Sequence, residues 1–186
     1  MGLSSHERRT HFVGASHMST RTAIIRGDGE GEAVWFNNDL FTFKATAEET
    51  DQAFTLFEER SQRGKVTPLH LHPNADETFW VIDGEILVSV DGVERTVEAG
   101  GIASVPRGMP HAVLVTSETA RVLTLVTPGC SALEMFFRDA GEPATQRTLP
   151  PSVQLPMERI RAAAIRHGAV VILGPPPFTA TAGPHA

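Results

Sequence analysis

Between residues 64 and 111 this chain strings glycines, histidines and short apolar runs at spacings that suit short strands. The first stretch reads Gly64, five residues, His70-Leu71-His72, four residues, Glu77, six residues, Gly84. The second reads Gly100, five residues, Pro106-Arg107-Gly108, two residues, His111. In an extended strand alternate side chains share a face, so His70 and His72 point the same way. Glu77 lies past a turn, at the head of the next apolar run, where it can face them. Three imidazoles and one carboxylate form a ligand set suited to a divalent ion with open coordination positions.

The surrounding pattern predicts strands. Val34 to Phe36, Leu40 to Lys44 and Phe54 to Glu58 are short runs rich in aromatic and β-branched residues. Thr78 to Ile82 and Glu85 to Val90 follow, and Asp91-Gly92 signals a hairpin into Val93 to Val97. Ile102 to Val105, Ala112 to Val115 and Arg121 to Thr127 complete the series. Such even spacing predicts an all-β fold, an antiparallel jelly-roll barrel, and no internal repeat suggests a second one. Two helices are expected next: Ser131 to Arg138, and Pro156 to His167 with Ile160, Ala164 and Ile165 on one face. A strand at Val170 to Leu173 precedes Pro175-Pro176-Pro177, read as a stiff terminal tail.

These two stretches resemble the paired motifs of the cupin superfamily, over roughly residues 33 to 138. Every fixed position of the first motif is present. The second departs at Val115, where the family pattern usually has Asn. The phrase Asp76 to Gly84 and the helical C-terminal extension resemble the single-domain cupins of quercetinase type, the flavonol dioxygenases. That resemblance implies His70, His72, Glu77 and His111 as metal ligands, with Glu77 also serving as a catalytic base. It implies one divalent ion per chain (Fe, Mn, Ni, Co, Cu or Zn), and an aromatic or enolic, flavonol-like substrate consumed with dioxygen. It also points to a homodimer. Two other readings stand beside it: a non-redox isomerase, lyase or cyclase in which the metal polarises a carbonyl, and a ligand-binding barrel without turnover.

The distribution of histidine supports the site. Of eight, His6, His11 and His17 precede the barrel, and His167 and His185 follow it, so the other three all fall at motif positions. No tyrosine is present, which excludes a phenolic acid or base. By strand parity the pocket candidates are Phe79, Val81, Ile86, Val88, Val113 and Val115, with Phe41 or Phe43 from an earlier strand. Parity places no Lys or Arg inward near the ligands, which disfavours sugar phosphates and favours a greasy, weakly acidic substrate. The same parity turns Trp80 and Ile82 outward, an apolar outer face that needs a cover: the N-terminal strand, the C-terminal helix or a second subunit.

Composition bounds the rest. At 186 residues the chain suits one domain with a sizeable core. A net charge of −6 without a basic patch disfavours nucleic acid as a partner. No run has the length and apolarity of a membrane span, and no secretory signal stands out. The single cysteine, Cys130, rules out an internal disulfide and suits a cytoplasmic location. Residues 1–17 read as a leader or a vector-encoded addition, 18–32 as a flexible glycine-bearing lead-in, 33–138 as the barrel, and 139–186 as a C-terminal extension.

Overall fold

The fold was analysed in a computed structural model that describes residues 22–150 and 157–179. The expected leader, Pro156 and the last residues of the chain lie outside that range. Strands β1 (Ala33–Phe36), β2 (Asp39–Ala45), β3 (Thr55–Gln62), β4 (Leu69–Leu71), β5 (Asp76–Asp83) and β6 (Glu85–Val90) come first. Strands β7 (Val93–Glu98), β8 (Ile102–Val105), β9 (His111–Val115) and β10 (Thr119–Thr127) follow. Helix α1 (Ser131–Ala140), the two-residue β11 (Glu142–Pro143), α2 (Met157–His167) and β12 (Val171–Gly174) close the series. They form two antiparallel sheets of a jelly roll, ordered β11-β1-β2-β3-β10-β5-β8 and β12-β4-β9-β6-β7.

Local chemistry explains the turns. Asp91 and Gly92 both have positive φ, 49° and 79°, the geometry of a two-residue hairpin that matches strand twist. Gly84 has φ +81°, and a Cβ there would lie 2.2 Å from the Thr119 carbonyl oxygen, so the β5–β6 turn tolerates no side chain.

The interior divides in two. Between the sheets, Val81, Ile86, Val88, Val105, Val113 and Val122 belong to an aliphatic cluster. Toward the helices, Phe41, Phe43, Phe57, Phe136 and Phe137 share a second cluster. The Phe41 and Phe137 ring centroids are 4.6 Å apart. Helix α1 is fixed to the barrel by a buried carboxylate: Glu134 Oε1 accepts from the Ala47 N–H and the Thr55 hydroxyl, each at 2.7 Å. On α2 the buried residues are Ile160, Ala163 and Ala164, whereas Ile165 is 85% exposed. The expected face is therefore corrected by rotation toward Ala163, which packs with α1 residues in the Phe-rich cluster.

Strand β3 runs four residues further than its apolar pattern implied. Its charged end is stabilised by pairing: Arg60 and Arg121 on one face engage Glu58, at 2.8 and 2.6 Å. The segment before β1 is tied down as well. Arg26 pairs with Glu49, and the Phe43 N–H donates to the Glu32 carbonyl. All five residues of β9 are buried, because Phe178 packs on the back of the strand with Ala112 and Leu114. Trp80 and Ile102 form a cross-strand pair on the outer face, 52% and 64% exposed, with Ile82 beside them. Neither helix covers that face.

Candidate metal centre

His70 and His111 are direct cross-strand partners between β4 and β9, so one pairing brings residues 41 positions apart into contact. Their ring centroids lie 4.3 Å apart, and His72, just past the end of β4, is 5.2 Å from His70. Glu77, the second residue of β5, reaches across from the other sheet. Its Oε2 lies 3.0 Å from His111 Nε2 and 3.2 Å from His72 Nε2. One donor atom from each of the four residues falls within 4.8 Å of all the others. Ligands at about 2.0–2.2 Å from a common ion have this spread.

The backbone orients all three rings. His70 Nδ1 bonds the Pro68 carbonyl at 2.9 Å, His72 Nδ1 the Ala169 carbonyl at 2.9 Å, and His111 Nδ1 the Met109 carbonyl at 3.0 Å. A carbonyl only accepts, so each Nδ1 carries the proton and each Nε2 presents a lone pair. Those lone pairs converge on a carboxylate. His72 Nε2 is buried without a hydrogen-bond partner among the described residues. Such a cluster calls for positive charge at its centre, and a divalent ion fits the donor set.

The electrostatics agree. Burial pushes the Glu77 carboxyl up, but His72 and His111 outweigh it and hold that carboxyl well below the usual range. Burial opposes a proton on His72, yet the Glu77 carboxylate raises its pKa above the ordinary value. Burial, with His111 and His72 alongside, pushes His70 down to about 3. One cation, proton or metal, is what Glu77 and the facing imidazoles attract.

His70, His72 and Glu77 line a cavity of about 520 Å³, while His111 sits behind them. Of the pocket residues expected from parity, Phe41, Phe79, Ile86, Val113 and Val115 line this cavity. Phe43, Val81 and Val88 do not; they are buried in the two apolar clusters instead. The cavity also reaches residues that parity did not reveal. Glu59 and Ser61 come from the polar half of β3, and Lys65 from the segment between β3 and β4. Arg161 and Met157 of α2 and Pro175 and Pro176 of the tail close the helical side.

Parity placed no Lys or Arg inward near the ligands; Lys65 and Arg161 line the same cavity from outside the strands. Lys65 is drawn inward because its carbonyl accepts from the Val115 N–H, and Val66 bridges Leu114. Parity cannot place a residue outside a strand. Lys65 is no free clamp for an anion, however, since it already pairs with Asp39 and Glu59 at 2.7 and 3.1 Å. Cys130 takes no part in this site: it lies outside the cavity lining, and burial raises its thiol pKa.

Residues 57–127 match the Cupin domain family. The chain carries a cupin domain. It is 28% identical over 138 residues to quercetin 2,3-dioxygenase of Bacillus subtilis, covering 73% of this chain and 40% of that protein. Among solved structures the cupin fold resembles KdgF from Halomonas sp., with a TM-score of 0.53 and 17% identity over 60% of this chain and 99% of that one. It also resembles a Thermotoga maritima protein described as a predicted oxalate decarboxylase, with a TM-score of 0.51 and 16% identity over 56% and 97% of the two chains. At these identities the structural likenesses speak for the fold alone. No helix among the described residues is long and apolar enough to cross a membrane.

Proposed function

We propose that this cupin is a metal-dependent dioxygenase acting on an aromatic or enolic small molecule of flavonol type. The observation that carries the reading is a convergence of Nε2 lone pairs and a carboxylate at the wall of a mainly aromatic and aliphatic cavity. At about 520 Å³ the cavity has the size of a small-molecule site. The distant likeness to a quercetin dioxygenase supports the choice of substrate class.

In this reading His70, His72, His111 and Glu77 hold one divalent ion (Fe, Mn, Ni, Co, Cu or Zn). Such an ion, when bound, supplies Lewis acidity and, if redox-active, electron exchange with dioxygen. The chain does the rest. The carbonyls of Pro68, Ala169 and Met109 fix the three rings. Glu77 uses Oε2 toward His72 and His111, and its Oε1 has no hydrogen-bond partner among the described residues. That oxygen takes the proton of the substrate's enolic or phenolic hydroxyl, leaving the substrate oxygen anionic. Phe41, Phe79, Val113 and Val115 pack against the ring system and keep water from it.

The test is metal content by elemental mass spectrometry on protein purified without a chelator or metal-affinity tag, followed by oxygen uptake with quercetin and simple phenols. Near one redox-active ion per chain with uptake supports the proposal. Zinc alone without uptake moves the reading to carbonyl polarisation, as in an isomerase, lyase or cyclase. No metal after reconstitution defeats it and leaves a binding barrel. The proposal places the protein in the cytoplasm and includes a homodimer across the Trp80, Ile82 and Ile102 face. Light scattering on the wild type and Trp80→Ser tests the dimer.

A further inference from the structure

The cavity has a second polar end, remote from the metal ligands. Glu59, Ser61 and Lys65 all line it. Glu59 Oε1 accepts from the Thr124 hydroxyl at 2.6 Å, and its Oε2 lies 3.1 Å from Lys65 Nζ. Lys65 Nζ also pairs with Asp39 Oδ2 at 2.7 Å.

Two registers give the backbone offset along the strands. Across the large sheet, Glu59 pairs with Val122 and Val122 with Val81, four residues along β5 from Glu77. On the other sheet, Lys65 bonds Val115, four residues along β9 from His111. Four residues of strand span about 13 Å. Phe57, Phe79 and Val113 line the wall between.

Charged groups are seldom buried for stability, because an apolar set of equal volume does as well. Here Glu59 and Lys65 line the cavity that His70, His72 and Glu77 also line. We propose that Glu59 and Lys65 form a second substrate-anchoring site, which holds the hydroxyl of a neutral hydroxylated aromatic ring at strand positions four residues, about 13 Å of backbone, from those of Glu77 and His111. The chemistry selects a hydroxyl. The Lys65 ammonium has three protons and two carboxylate partners, so one N–H remains to donate. Glu59 retains lone pairs to accept. A hydroxyl satisfies both, whereas a carboxylate would face Glu59 and Asp39, and an amine would face the Lys65 ammonium. Asp39, pushed up to about 7 mainly by burial, keeps the cluster close to neutral.

This proposal rests on the reading of the cavity as a substrate site, and it names the far end of that substrate. It is tested by equilibrium dialysis of biphenyl and 4-hydroxybiphenyl against the wild type, Glu59→Leu/Lys65→Met and His72→Ala. The double variant removes both charges together, and Asp39, which loses the Lys65 ammonium, is a buried carboxyl already pushed up to about 7 that can take up a proton. The hydroxylated probe should bind the wild type roughly ten- to a hundred-fold more tightly, the effect of one hydrogen bond to a charged group. That preference should vanish in Glu59→Leu/Lys65→Met and persist in His72→Ala. If the double variant does not fold, the wild type and His72→Ala decide the matter. Equal binding of the two probes, no binding of either, or a preference lost in His72→Ala would overturn the proposal. Failure of the dioxygenase reading would appear instead as absent metal or absent oxygen uptake, with the probe preference intact.

Discussion

Lys65 Nζ lies 2.7 Å from Asp39 Oδ2, and the two side chains are 5% and 0% exposed. Burial pushes the Asp39 carboxyl up to about 7 despite that ammonium. An aspartate in the unfolded chain titrates near 3.9, so between about pH 4 and 7 the folded state holds a proton that the unfolded state releases. Asp39 therefore contributes stability that is fully present at low pH and lost as pH rises through about 7. Asp39→Asn imitates the protonated form. Urea midpoints at pH 4.5, 6 and 8 should move in the variant's favour relative to wild type, by more than about 1.4 kcal/mol across the series, the worth of one pKa unit. Parallel curves would refute the assignment.

Glu77→Gln keeps a coordinating oxygen but loses the proton acceptor. At saturating metal, oxygen uptake should fall roughly 10²–10⁴-fold, the usual worth of a general base. The three imidazoles should still retain the ion. Uptake within about tenfold of wild type would remove Glu77 from the base role and leave it a ligand.

Gly84→Ala forces a Cβ against the Thr119 carbonyl at a positive φ. Strain of this kind costs about 1–3 kcal/mol. Thermal melting should shift down by roughly 2–12 °C for a chain of this size. A melting temperature unchanged from wild type would mean that the β5–β6 turn relaxes freely.

A chain ending at Gly168 lacks Ala169, whose carbonyl orients His72, and also lacks β12 beside β4. Competition against a chelator should report metal binding weakened about 10–100-fold, as for other losses of a ligand's hydrogen-bond partner. Phe178→Ala is the control. It uncovers the back of β9 and lowers stability, but the His72–Ala169 bond stays, so metal affinity should remain near wild type.

How far the sequence reveals this molecule depends on how local each cause is. The β6–β7 hairpin is legible because Asp91 and Gly92 carry its turn within two residues. The four-ligand cluster is legible because His70, His72, Glu77 and His111 sit at strand ends with a motif's spacing. Parity works along a strand and fails at its end. It found Phe79 and Val113 but could not place Lys65, which lies between β3 and β4. It also could not extend β3 to Glu59 and Ser61, because charged residues read as a turn until their partners are known. The role of Ala169 left no trace in the sequence, since any residue offers a backbone carbonyl. Ile165 misled for the opposite reason: its side chain suggested a core face, but α2 turns it to solvent.

Strand β4 is paired on one side by β9 and on the other by β12, and His72 rests on a carbonyl 97 positions downstream. Protein synthesis runs from the N-terminus, so His70 and His72 leave the ribosome long before the residues that hold them in place. A chain stopped after β9 already contains His70, His72, Glu77 and His111, yet lacks β12 and the Ala169 carbonyl. The candidate metal centre is therefore complete only once the C-terminal segment has folded back onto β4.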